Sequence, residues 1–152
     1  MLSQTDVVKR VRELVAEITD VKRVYGSDTA GPEGLPGGFG EYPSILVYPG
    51  PTIEYIQNPG GSHTHKYECA IQVFYGPVGD AAGAAAGSTP FTDRLIGKFV
   101  QNVTLGGRAT YARFLRHTGL TSLAYGGQEY IGYEIALHVH EQESITPEGG
   151  SA

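Results

Sequence analysis

The sequence is poor in cysteine and in positive charge, and each shortage excludes a class of protein. Among its 152 residues there is one cysteine, Cys69, so no internal disulfide can form, which indicates a reducing, intracellular setting. Only 11 lysines and arginines stand against 16 aspartates and glutamates, which leaves a net charge of −5. Proteins that grip phosphate backbones carry clustered Lys and Arg, so the acidic balance argues against that class.

Long apolar runs are also missing. No stretch approaches the roughly 20 consecutive apolar residues that a membrane-spanning helix needs, so no membrane partner is predicted. Residues 1–14 are charged and amphipathic, unlike the apolar centre of a signal peptide. Hydrophobic residues make up 40% of the chain and the mean hydropathy is −0.18, which predicts a soluble protein with one core.

Signatures of phosphate binding and of nucleophilic catalysis are absent as well. The Gly-rich stretch 76–87 lacks the Gly-Lys-Ser/Thr ending of a P-loop. No Gly-x-Ser-x-Gly elbow positions a serine. Cys69 lies on the apolar face of a predicted strand, which favours an inert core thiol over a nucleophile. We therefore predict no catalytic residue, no cofactor and no enzymatic activity.

What the chain has in abundance is glycine and proline, with 22 and 9 residues that cluster between ordered segments. Residues 4–19 have the apolar period of an amphipathic helix. A second helix is predicted for 90–103, where Pro90 suits a first helical turn. The Gly/Ala stretch 76–89 before it is predicted to be a low-complexity loop.

Other segments alternate as strands do. The last of them, 129–141, is expected to pair with a segment inside 118–125, while the rest of 108–125 stays undecided. The other predicted strands are 20–26, 44–48, a weaker 52–58, and a long strand 63–76. The order helix, strands, helix, strands predicts an α+β fold, a mainly antiparallel sheet with two helices packed on one face. We predict a single domain over 1–142 and a flexible tail over 143–152.

Two His-x-His pairs raise the question of a metal site. Residues i and i+2 of a strand point the same way, so His63 and His65 share one face, as do His138 and His140. The apolar alternation places the first pair on the core-facing side and the second on the opposite side, towards solvent or a partner. A zinc site needs three or four converging ligands, so we predict no metal. The alternative is a small metal-dependent enzyme or ligand-binding domain that uses His63 and His65.

Several residues are better explained by contact with another chain than by chemistry. The loop 26–43 carries apolar side chains in a frame of glycine and proline, which favours a docking segment. The alternative is that these side chains pack back onto their own sheet. A small basic cluster lies within 108–117 and would suit an acidic neighbour. The candidate interface residues are Leu35, Phe39, Tyr42, Arg108, Arg113, His138 and His140.

Taken in order, these features resemble the tail terminator (tail completion) proteins of long-tailed bacteriophages, over residues 5–142. After the amphipathic helix come VKRVYG and YPSILVYPGP, and then the hairpin IEYIQNPGGSHTHKYECAIQVFYG. The second helix follows in TPFTDRLIGKFVQNVTLGG, and the closing hairpin is AYGGQEYIGYEIALHVHEQE. The match lies in the order and spacing of these segments.

The resemblance implies a structural virion protein that assembles in the cytoplasm of the bacterial host. Family members form a hexameric ring on the last ring of the tail tube, stop its polymerisation and offer a surface to the head connector or neck protein. DNA passes through the ring without specific binding. A head-side neck or head-completion protein is the alternative within the same structural class.

Overall fold

The computed structural model describes residues 4–18, 21–26, 38–77, 79, 81–107 and 109–144, with the backbone alone described at 81–89 and 143–144. The helices are α1 (Gln4–Ala16) and α2 (Ala81–Val100), followed by a short 3-10 turn (Leu105–Gly107). The strands are β1 (Arg23–Gly26), β2 (Ser44–Gln57), β3 (Ser62–Pro77), β4 (Tyr111–His117), β5 (Thr121–Tyr125) and β6 (Gln128–Ser144).

The strands form one six-stranded sheet in the order β1-β2-β3-β6-β4, with β5 also paired to β6. Only β1 and β2 run parallel, and every other pair is antiparallel. Together with the two helices, this confirms the predicted α+β class. β1 pairs only with Ser44–Val47 of β2, so the rest of β2 has an open outer edge within the described chain.

Both helices cover the same face of the sheet, as predicted. α1 buries an apolar stripe that includes Val7, Val11 and Leu14, and Asp6 in its first turn suits the positive end of the helix dipole. α2 buries Phe91, Leu95 and Phe99, which recur every four residues. The sheet side of this core comes from alternate residues of β3 and β6: Tyr67, Cys69, Ile71, Val73, Tyr133, Ile135, Leu137 and Val139.

The opposite face carries a smaller aromatic cluster. Phe39 lies at its centre, with ring centroids 4.5 Å from Phe74 and 4.6 Å from Tyr125. The backbone N–H of Phe39 donates to the hydroxyl of Tyr130 (3.1 Å), and the hydroxyl of Tyr42 donates to the carbonyl of Phe39 (2.9 Å). These contacts attach the end of the Gly/Pro-rich loop to the sheet of its own chain.

The second helix begins earlier than predicted. Residues from Ala81 onward are helical, so the predicted loop over 76–89 is wrong for its second half. Five alanines between 81 and 86 explain the helix, since alanine has the highest helix propensity. Pro90 consequently lies inside α2 rather than in its first turn, and the helix ends at Val100 rather than at 103.

The two predicted strands 44–48 and 52–58 are one strand, β2, which continues through Pro49 and Pro51. Its register with β3 shifts between Pro49 and Thr52 and again between Thr52 and Glu54. Proline cannot donate a ladder hydrogen bond and is tolerated at bulges and open edges, which is the setting that β2 offers once β1 has ended.

The undecided segment contains two strands. β4 and β5 lie on the same side of β6, β4 along its second half and β5 along its first, so the expected partner within 118–125 is confirmed as β5. β6 ends at Ser144, two residues beyond the predicted domain boundary of 142, and residues 145–152 lie outside the described part of the chain.

Candidate interface surfaces

The first histidine pair lies on β3, where strand alternation places both rings on the helix-covered side of the sheet. Tyr55 of β2 covers them, with ring centroids 5.8 Å from His63 and 5.4 Å from His65. Nε2 of His65 lies 3.1 Å from the hydroxyl oxygen of Thr52. Burial lowers the pKa of His65, and His63 lowers it further.

The second pair lies on β6 and stacks against one tyrosine of β4. The Tyr111 ring is 6.2 Å from His138 and 4.7 Å from His140. His138 is only 7% exposed, so the prediction that it faces solvent or a partner is wrong, because the side chains of neighbouring strands close over it. Nε2 of His138 and Nδ1 of His140 are buried without a hydrogen-bond partner among the described residues.

The electrostatic surroundings of His138 favour its neutral form. Burial is the largest cause that lowers its pKa, and the positive charges of Arg113 and Lys66, together with His140, act in the same direction. Glu68, opposite His138 on β3, opposes them.

The two histidine pairs do lie on opposite faces, as predicted. In the β3–β6 register His65 is level with Glu141, and Lys66 is level with His140. Residues that are level share a face, and consecutive residues of a strand alternate, so His65 and His140 point to opposite sides. Within the residues that the structure describes, no group of three or more His, Cys, Asp or Glu side chains could hold a metal ion.

The predicted basic cluster is divided between two faces. Arg116 forms a two-fold ion pair with the buried Glu68, with both N–O distances 2.6 Å. His117 points to the helix side, where its ring stacks 4.4 Å from Tyr133. Arg113 is exposed and makes no ion pair with the described residues, while Arg108 lies outside them.

The core thiol has no nucleophilic character. Cys69 is fully buried, and burial raises its pKa to about 12, so it is protonated at neutral pH. Beside it, the hydroxyl of Tyr67 donates to a carboxylate oxygen of the buried Glu141 at 2.8 Å. The thiol, the hydroxyl and the carboxylate therefore all belong to buried residues.

The predicted docking loop is attached to its own sheet where it is described. Phe39 is buried in the aromatic cluster and Tyr42 is half-buried beside it, which is the alternative considered for this loop. Phe39 is therefore enclosed by its own chain, while Tyr42 keeps part of its surface exposed. Leu35 lies outside the described residues.

Sequence reasoning missed two exposed apolar surfaces. The first, called the arm, comprises residues 52–66, the part of the β2–β3 hairpin nearest its turn. Ile53, Tyr55 and Ile56 are 47%, 56% and 43% exposed there. The available signal was three large apolar residues in a segment bounded by prolines at both ends.

The second surface, called the α2–β4 groove, lies where α2 ends beside the last strand. It has a volume of about 330 Å³ and an almost wholly apolar lining. Val100 at its rim is 64% exposed. The lining residues are Phe99, Val100, Val103, Tyr111, Ala112, Arg113 and Phe114. The signal was the apolar stripe Ile96, Val100 and Val103, which lies next to the buried stripe of α2.

Neither surface is identified by similarity to a known protein. None of the helices over the described ranges is long and apolar enough to cross a membrane. Comparison of the chain with protein-family models and with curated proteins finds no match in either set.

Proposed function

We propose that this chain is a structural subunit of a ring at the head-proximal end of a bacteriophage tail tube. The ring ends tube polymerisation, joins the tail to the head connector or neck protein, and lets DNA pass through. The ordered segments that resemble tail terminator proteins support this function, and so does the α+β architecture that the resemblance implies.

The observation that favours assembly most is the open edge on each side of the sheet. Among the residues that the structure describes, β2 pairs only with β3 over 52–57, and β4 pairs only with β6 over 113–117. Natural proteins cover such edges or pair them with another chain. Two different surfaces on one subunit make a head-to-tail contact, and repetition of that contact closes a ring when the rotation allows it.

The acidic charge suits a ring around DNA. Six copies with a net charge of −5 each total −30. Repulsion between the ring and the phosphates opposes tight binding that would stop the DNA in the channel.

Sedimentation velocity and electron microscopy of the pure protein, together with images of virions, test the proposal. We expect rings of six in solution at high protein concentration and one ring at the head-proximal tip of each tail. A protein that stays monomeric at every concentration and is absent from purified tails would overturn the ring.

Phage particles made without this chain separate the two structural candidates. A tail terminator predicts tubes that exceed their normal length, because nothing stops polymerisation. Tubes of normal length that fail to join heads would instead assign the chain to the neck.

A further inference from the structure

We propose that the arm of one copy docks into the α2–β4 groove of a second copy. The proposal rests on the proposed ring and names the contact that builds it. In this contact the open edge of residues 52–57 pairs with the open part of β4, residues 113–117, and the Tyr55 ring of the arm packs into the groove.

The groove side offers apolar surface that its own chain leaves uncovered. Phe99 of α2 packs edge-to-face on Phe114 of β4, with ring centroids 5.8 Å apart, so the helix reaches the last strand of the sheet. Val100 and Val103 follow and stay largely exposed at the groove. A further chain segment at that edge would bury them.

The β4 backbone is ready to pair along part of its length. The N–H of Ala112 donates to the carbonyl of Val103 at 2.6 Å, which closes the first part of the outer edge. From 113 to 117 the strand pairs with β6 alone among the strands that the structure describes. An extended segment added there would gain main-chain hydrogen bonds, as in other cases of strand addition.

The arm side has the matching pattern. Tyr55 is level with His65 and covers it, so Tyr55 points to the helix side of the sheet. Glu54, level with Lys66, and Ile56, level with Thr64, point to the other side. The outer edge of this segment carries no partner strand in the described chain, because β1 ends at the level of Val47.

The arm and the α2–β4 groove match on both faces of the sheet. When the sheet continues from one copy to the next, Tyr55 lies on the side of the groove. Glu54 then lies on the side of Arg113, which is level with His138 on the non-helix face and has no carboxylate partner among the described residues. The Tyr55 ring therefore meets the apolar lining of the groove, and Glu54, which pairs with Lys66 of its own chain at 3.3 Å, adds a carboxylate on the side of Arg113.

The arm cannot reach the groove of its own chain. It belongs to β2, and β3 and β6 lie between β2 and β4 in the sheet. Adjacent strands are about 4.8 Å apart, so the two edges are separated by the width of the sheet. A second copy carries the matching surface already, which makes it the occupant that the chain itself supplies.

Two single variants test the contact, one on each surface. Tyr55→Asp and Val100→Asp replace exposed side chains, so both proteins should fold. Each should raise the dissociation constant of self-association at least about tenfold, as expected when a charge enters the centre of an apolar interface. Ile56→Asp is the matched control, since Ile56 is 43% exposed on the same arm but points to the other face, and it should assemble like the wild type.

A mixture of the two variants gives the sharper result. The Val100→Asp copy keeps an intact arm and the Tyr55→Asp copy keeps an intact groove, so an equimolar mixture should form a heterodimer that grows no further. A symmetric contact would not give this result. A short bis-maleimide should also link Tyr55→Cys to Val100→Cys between copies, and native Cys69 is too buried to react.

The possible failures are distinguishable. If both Asp variants form rings as well as the wild type does, and the cysteine variants give no cross-link, the arm-in-groove contact is overturned. The proposed ring itself would not be affected by that result. A wild-type protein that does not assemble at any concentration, together with cysteine variants that do not cross-link, would overturn both proposals.

Discussion

Gly132 lies in β6 opposite Phe74, where the backbone of β3 comes unusually close. A Cβ at this position would lie 1.9 Å from the carbonyl oxygen of Val73 and 3.2 Å from a methyl carbon of Leu123. The first of these contacts involves backbone, which cannot turn aside as a flexible side chain can. Only glycine lets β3 and β6 pair here while Phe74 packs into the aromatic cluster.

We expect Gly132→Ala to lower the free energy of unfolding by about 2–4 kcal/mol, since overpacking against a backbone forces the strands apart. Urea denaturation measures the loss. Gly97→Ala is the matched control, because a Cβ at Gly97 in α2 meets nothing within 4 Å. It should raise the free energy by about 0.5–1 kcal/mol through helix propensity. Equal effects of the two variants would contradict the close approach at Gly132.

Among the helices and strands, α2 departs most from simple sequence rules because Pro90 lies inside it. A proline within a helix lacks the N–H that would bond to the carbonyl four residues earlier, and its ring crowds that turn. The helix continues nevertheless, since Phe91, Leu95 and Phe99 bury one stripe against the sheet and the preceding alanines favour helix. Packing and propensity together outweigh the local cost.

Pro90→Ala should therefore raise the free energy of unfolding by about 1–3 kcal/mol, because it restores one backbone hydrogen bond and removes the clash. Urea denaturation followed by circular dichroism measures the change. Pro59→Ala is the control, since Pro59 lies in the turn at the tip of the arm, where Gly61 N–H bonds to the carbonyl of Asn58. That variant should stay within about 1 kcal/mol of the wild type or lose stability. A destabilised Pro90→Ala protein would show that the core needs the local distortion.

For the chain as a whole, burial keeps several titratable groups in their neutral forms. It is the largest cause that lowers the pKa of His65, His117 and His138. It is also the largest cause that raises the pKa of Tyr48 and of Cys69, each to about 12. Both sets of shifts link folding to pH, with opposite signs.

The histidines bind fewer protons in the folded chain than in the unfolded one. Their contribution is present above the unfolded pKa of about 6.5 and is lost as the pH falls through the folded values. The thiol and the tyrosine have raised values, so their contribution is present below about pH 8.5–10 and is lost at higher pH. We expect the free energy of unfolding to be largest between about pH 7 and 8.5, as measured by urea midpoints from pH 5 to 10.

His138→Phe should flatten the acid side of this profile, because it keeps a ring beside Tyr111 and removes one titration. The alkaline side should not change. A wild-type protein that is as stable at pH 5.5 as at pH 7.5 would contradict the assignment of buried neutral histidines.

Local patterns in the sequence were sufficient to predict the fold class and to predict which face of each main helix and strand is buried. The buried residues Val7, Val11 and Leu14 of α1 follow the helical period of 3.6 residues. The buried residues of β3 and β6, such as Cys69 and Leu137, follow the strand period of 2. The same alternation placed the two histidine pairs on opposite faces. These features are local because each depends on the geometry of a single helix or strand.

Other features depend on residues far apart in the chain, and no local pattern contains them. The cost of Pro90 inside a helix is offset because the distant strands of the sheet pack against the residues that follow it. β2 continues through Pro49 because β1 has already ended beside it. His138 is buried because β3 and β4 bring side chains over it. The arm and the groove became visible only with the strand order, since an edge is open or paired according to which distant strand lies next to it.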